Sequence, residues 1–117
     1  QQYGLEHQLA ALSVVDPLPF LDMVALEQAA KVILTDSGGV QKEAFFYEVP
    51  CITMRDETEW VETVSLGWNH LTGASFESIL QAYSAISELP TEHGNNPYGD
   101  GTAAGRILSY LLGPSAP

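Results

Sequence analysis

Short β-branched runs that alternate with segments of helical periodicity constrain this chain more than any other feature. A run too short for a helix, followed by a helix and then another such run, closes its backbone hydrogen bonds most readily in a parallel sheet built from βαβ units. Val32-Ile33-Leu34-Thr35 is such a run, and it stops at Asp36-Ser37-Gly38-Gly39, so it reads as a buried strand entering a tight turn. Cys51-Ile52-Thr53-Met54 is its sibling, with Pro50 at the first position, where a missing N–H does least harm. A weaker strand is expected near Ser13, Val14 and Val15, broken by Asp16-Pro17-Leu18-Pro19. Apolar residues at spacings of three and four mark the helices. Leu21, Val24 and Ala25 carry one that starts after Pro19, and Ala44, Phe45 and Glu48 carry one that begins near Gly39. Phe76, Ile79, Leu80, Tyr83 and Ile86 make the clearest stripe, and Ala103, Ala104, Ile107, Leu108 and Leu111 make another. The pattern gives three βαβ-like units and an α/β fold, a three-layer Rossmann-like parallel sheet. Residues 90–101, with two prolines, three glycines and Asn95-Asn96, are a connection, and residues 102–112 form the last helix of what reads as a single domain over residues 1–117.

Charge limits the partners. Four Lys and Arg against fifteen Asp and Glu leave a formal charge of −11, which repels nucleic acid and anionic membrane surfaces. Any phosphate held here must rest on backbone amides or on positive charge from elsewhere. No apolar run reaches the roughly 20 residues that cross a bilayer, and the first six residues lack the basic and apolar regions of a secretory signal. The expected compartment is the cytoplasm. One cysteine, Cys51, cannot form an internal disulfide; it reads as a small buried hydrophobe rather than a nucleophile. His7, His70 and His93 show neither the spacing nor the cysteine partners of a metal site, so no metal is expected. Gln1 in place of an initiator methionine suggests an excerpt or a processed product.

The stretch Thr35-Asp36-Ser37-Gly38-Gly39-Val40-Gln41-Lys42-Glu43-Ala44 carries the chemistry. Where a strand ends in a glycine pair and opens a helix, the first helical N–H groups have no intrahelical partner and the helix dipole is positive. Glycines let an anion approach the backbone, and Ser37 adds a hydroxyl. Glu43 lies four residues beyond Gly39 on the same helix face. A carboxylate there repels phosphate but accepts hydrogen bonds from two vicinal hydroxyls, which a ribose attached to a diphosphate presents about one helical turn away. The spacing suggests a nucleotide, with diphosphate on Ser37, Gly38 and Gly39 and ribose on Glu43. A second reading stands beside it, in which the glycines only turn the chain, Asp36 or Ser37 caps the helix and Glu43 is a solvated acid.

A second cluster, Met54-Arg55-Asp56-Glu57-Thr58-Glu59-Trp60-Val61-Glu62, also lies where a strand ends and a helix begins. Asp56 and Glu59 have capping-box spacing, and acids in a first turn complement the dipole. Trp60, Val61 and Val64 are expected to pack the helix onto the sheet. Arg55, one of the four basic residues, follows a strand end that should lie beside the Ser37 turn, in the crevice where such sheets bind ligands.

The runs LTDSGGVQKEA, VPCITMRDETEWVETVSLGWNHLTG and NPYGDGTAAGRI, in this order, resemble the C-terminal part of the non-hydrolysing UDP-N-acetylglucosamine 2-epimerases, including relatives acting on UDP-diacetamidouronates. The resemblance covers residues 14–111. It implies the larger part of the C-terminal domain of a glycosyltransferase-B-type fold, in which two Rossmann-like domains face each other and the C-terminal one holds most of the UDP. It implies diphosphate on Ser37, Gly38 and Gly39, ribose on Glu43, and uracil against the loop around Pro19 and Phe20. It places Arg55, which opens the Arg-x-x-Thr-Glu segment, near the sugar or diphosphate. The implied ligands are UDP and a UDP-N-acetylhexosamine, with no cofactor, and the implied full-length enzyme is a homodimer. The family's first domain, which supplies most of the catalytic acids, and the characteristic histidine of the second domain's opening strand have no counterpart here. No catalytic residue is therefore assigned, and the 102–112 helix is expected to pack toward the missing domain. Residues 1–13 can represent only a helix leading into a strand. Two rivals stand: a glycosyltransferase half, which the TEWVE and NPYGDG segments disfavour, and a stand-alone nucleotide-binding module.

Overall fold

Pleating sorts the residues of the middle strand onto two faces, and that sorting organises the molecule. The computed structural model describes residues 4–86 and 96–114. In chain order they form α1 (Glu6–Leu9), α2 (Phe20–Ala29), β1 (Ile33–Thr35), α3 (Gly38–Phe46), β2 (Cys51–Thr53), α4 (Val61–Ser65), β3 (Asn69–Leu71), α5 (Phe76–Ala85) and α6 (Ala103–Leu112). The strands pair in parallel in the order β1-β2-β3. Leu34, Ile52 and His70 share a register row, flanked by the rows Ile33, Cys51, Asn69 and Thr35, Thr53, Leu71. All of β2 is buried. Ile52 faces α5 and packs with Ala82 and Ile86, with Val32 against them. Thr53 points the other way, toward Asn69 and through it Gln41 of α3. Helices α2 and α4 pack against α3 on this second side, giving three layers.

The core on the α3 side combines apolar Ala44 and Phe45 with a set of buried polar residues. Gln41, Thr53, Thr63 and Asn69 are all buried. Asn69 Oδ1 accepts from Thr53 Oγ1 at 2.6 Å, and Asn69 Nδ2 donates to Gln41 Oε1 and Thr63 Oγ1, each at 3.1 Å. Gln41 Oε1 also accepts from Thr58 Oγ1 at 2.6 Å. Each of these four side chains is thus paired, as a low-dielectric interior requires.

The two strands expected at residues 32–35 and 51–54 are present, each a residue shorter. The third lies at Asn69–Leu71 and not at residues 13–15, which are exposed and unpaired beside the prolines that follow. Among the described residues the complete βαβ units number two, one through α3 and one through α4. Glu48 lies past the end of α3 with φ 57°, in the left-handed region, rather than inside the helix. In residues 1–13 the helix is the short α1, with residues 1–3 outside those described. Helix α5 and its C-cap residue bring Ala82 and Ile86 to the sheet, while Phe76, Leu80 and Tyr83 of the apolar stripe are exposed. Residues 90–95 of the connection also fall outside the described part. Its remainder is not detached: Tyr98 packs edge-on against Phe45, Phe46 and Trp60, and its hydroxyl donates to Glu62 at 3.1 Å.

Candidate functional site

Thr35 ends β1 and accepts the Ser37 N–H on its hydroxyl at 3.0 Å, which fixes the turn. Helix α3 then starts at Gly38, and its first intrahelical bond runs from the Gln41 N–H to Ser37 O. The amides of Gly38, Gly39 and Val40 therefore precede any intrahelical acceptor. Neither Asp36 nor Ser37 caps the helix, since Ser37 stands at the N-cap with no side-chain capping bond. The side-chain cap from Asp36 or Ser37 that the second reading expects does not form. Both are exposed, and the Ser37 hydroxyl points no bond into its own helix.

The two glycines differ. A Cβ on Gly39 would meet no atom within 4 Å, so the space above it is open. A Cβ on Gly38 would run into the carboxylate of Glu59. Neither residue has a positive φ, so unobstructed approach, not backbone conformation, distinguishes them. The turn is held from below: Gly38 O accepts from Trp60 Nε1 at 2.8 Å, and Gln41 Nε2 donates to Ser37 O at 3.3 Å.

Arg55 follows β2 and pairs with Glu59 at 3.4 Å. Through Glu59 it is brought to the edge of the glycine turn. The expected capping box does not form, because α4 begins only at Val61, and the Trp60 N–H bonds Thr58 Oγ1 at 3.1 Å. Val61 is exposed rather than packed on the sheet, and Val64 is half-buried. Trp60 and Tyr98 also flank the Lys42 ammonium, 4.5 and 4.6 Å from the ring centroids. Burial, with the Glu62 carboxylate beside it, pushes the Tyr98 phenol up to about 12.

Glu43 is half-buried on α3, one turn below Gly39. Its neighbour is one that sequence reasoning did not single out. Glu27 of α2 is 3% exposed, and neither of its oxygens has a hydrogen-bond donor. Burial raises its pKa, and the adjoining Glu43 carboxyl raises it further. Burial and then the same two acids raise the Tyr47 phenol. Pro19 precedes α2 and Phe20 opens it, 72% exposed. Helix α2 packs on α3 and is joined to β1 by residues 30–32. Cys51 is buried, its thiol raised by that burial, with Thr53 Oγ1 at 3.6 Å. His7 is exposed on α1, His70 lies in β3 away from the turn, and His93 lies outside the described residues.

A parallel three-layer sheet in which a strand runs through a glycine turn into an uncapped helix start places the chain in the α/β class. Within that class the match is specific. The family described as UDP-N-acetylglucosamine 2-epimerase matches residues 3–112, and the chain belongs to it. It is 48% identical over 100 residues to a UDP-N-acetylglucosamine 2-epimerase homolog of Methanococcus maripaludis, covering 86% of this chain and 28% of that protein. It is 46% identical, with the same coverage, to the UDP-2,3-diacetamido-2,3-dideoxy-D-glucuronate 2-epimerase of Pseudomonas aeruginosa. A solved structure of the Methanocaldococcus jannaschii UDP-GlcNAc 2-epimerase, in complex with UDP-GlcNAc and UDP, superposes with TM-score 0.79 at 38% identity, covering 95% of this chain and 31% of that one. The chain thus spans less than a third of the length of these relatives, and its fold is the corresponding part of their glycosyltransferase-B-type architecture. Among the described residues no helix is long and apolar enough to cross a membrane.

Proposed function

We propose that this chain is the UDP-binding wall of an epimerase that inverts C2 of a UDP-linked N-acetylhexosamine, by eliminating UDP to a glycal and re-adding it after protonation on the other face. The observation that carries the reading is the uncapped start of α3 under open space at Gly39, in a chain whose family includes a protein solved with UDP-GlcNAc and UDP bound. The diphosphate rests on the Gly38 and Gly39 amides and the Ser37 hydroxyl. Ribose hydroxyls donate to Glu43, uracil lies against Pro19 and Phe20, and Arg55 exchanges Glu59 for the sugar or diphosphate. The acids that move the C2 proton lie outside this chain. Helix α6, which buries none of its residues, packs toward the domain that carries them. The same reading sets the complete enzyme in the cytoplasm, in keeping with a free buried thiol, and as a homodimer.

Calorimetry with UDP, UMP and ADP tests it. UDP should bind best, since UMP lacks the second phosphate for the glycine turn and ADP presents the wrong base. Equal affinity for all three would reduce the site to a nonspecific phosphate cradle.

A further inference from the structure

Glu27 has no role in the reading above, yet its burial demands one. A carboxyl that is 3% exposed and lacks any donor on either oxygen is costly as an anion unless it is paired or protonated. The acid it adjoins is Glu43, across the contact between α2 and α3. Two carboxyls in contact are stable when they share one proton, the neutral one donating to the charged one.

We propose that Glu27 is a positioning residue that holds a proton and donates it in a hydrogen bond to Glu43, fixing that carboxylate to receive the ribose hydroxyls. A carboxylate offers about four lone-pair sites, so Glu43 can accept from Glu27 and from both vicinal hydroxyls at once. Without the Glu27 bond its side chain must be ordered by the ligand itself, which weakens binding by the entropy of fixing those torsions. A neutral Glu27 also removes one negative charge from the vicinity of a diphosphate in a chain of charge −11. The other titratable group facing the pair is Tyr47, at the end of α3. The inference rests on the assignment of ribose to Glu43.

The test compares UDP with 2′,3′-dideoxy-UDP by calorimetry on the wild-type chain and on Glu43→Ala, Glu27→Leu and Glu27→Gln, each checked for folding by circular dichroism. The wild type should prefer UDP by about tenfold or more, the range for bonds to a charged acceptor. Glu43→Ala should abolish the preference; if it does not, the ribose assignment falls and this inference with it. Glu27→Leu fills the site without a donor and should lose most of the preference while 2′,3′-dideoxy-UDP binds unchanged. Glu27→Gln keeps an N–H donor with no charge and should restore it. Loss of the preference in Glu43→Ala but full retention in Glu27→Leu would leave the ribose assignment standing and overturn the role of Glu27. Should Glu27→Leu not fold, Glu27→Gln decides alone: wild-type preference, unchanged as pH rises where the wild type weakens, supports the shared proton, and a lost preference overturns it.

Discussion

An acid one helical turn inside a phosphate turn opposes the ligand unless it meets hydroxyls, and Glu43 therefore tests the nucleotide reading at the level of a single side chain. Glu43→Ala should weaken UDP by roughly 1.5 to 3 kcal/mol, with nothing further lost on removing the ribose hydroxyls from the ligand, as titration calorimetry would register. Glu27 makes a separate prediction about stability. Its pKa is raised in the folded chain, chiefly by burial and then by Glu43. The folded state therefore binds a proton more tightly than the unfolded state does. Stability from this group is complete below the unfolded carboxylate range and is lost as pH rises through the raised folded value. Urea denaturation across about pH 4 to 8 should show that fall, and Glu27→Gln should flatten it. A slope unchanged in the variant would assign the fall to other groups. Glu43 was legible because it lies within a contiguous motif at helical spacing from Gly39. Glu27 was not, because its partner is on another helix and its meaning comes from burial that only the packing of α2 on α3 creates.

At the scale of elements, β1 and β2 could be read because each joins β-branched residues to turn residues. The third strand escaped, since Asn69-His70-Leu71 contains no β-branched residue and owes its place to hydrogen bonds made across the fold. Asn69 and Gln41 are 28 residues apart in sequence, and nothing local announces that they meet. Gln41 joins their network to the glycine turn, since its Nε2 donates to Ser37 O. Asn69→Ala removes the acceptor of the Thr53 hydroxyl and a donor to Gln41 and Thr63. About 1 to 3 kcal/mol of stability should be lost in urea unfolding, the cost of buried groups left unpaired. The glycine turn gives the converse case. A Cβ at position 39 would meet no atom within 4 Å, so Gly39→Val should fold normally and lose UDP, because its methyls occupy the anion's approach. Unchanged UDP affinity in a folded Gly39→Val chain would remove this turn from the site.

Taken whole, the molecule measures 66 × 31 × 24 Å with a radius of gyration of 18.3 Å, against about 13 Å for a compact domain of this length. The difference comes from segments that pack on little: residues 4–19 are exposed throughout, and Ile107, Leu108, Tyr110, Leu111 and Leu112 of α6 lie open, Tyr110 at 90%. On the proposed function the chain supplies only one face of the cleft, and proximity lowers a barrier only when acid and base are both within hydrogen-bond reach of the sugar. Long-range electrostatics act the same way. Two phosphates approaching a chain of charge −11 are repelled, and three amides at one helix end offset this only at contact. The isolated chain should therefore bind UDP weakly, bind it more tightly as added salt screens the repulsion, and catalyse nothing. Incubated with UDP-N-acetylglucosamine in deuterated water and followed by NMR, it should leave C2 fully protonated and release no UDP. Deuterium at C2 would show that a complete acid and base exist within these 117 residues and would return the search for them to acids such as Glu59 at the edge of the glycine turn.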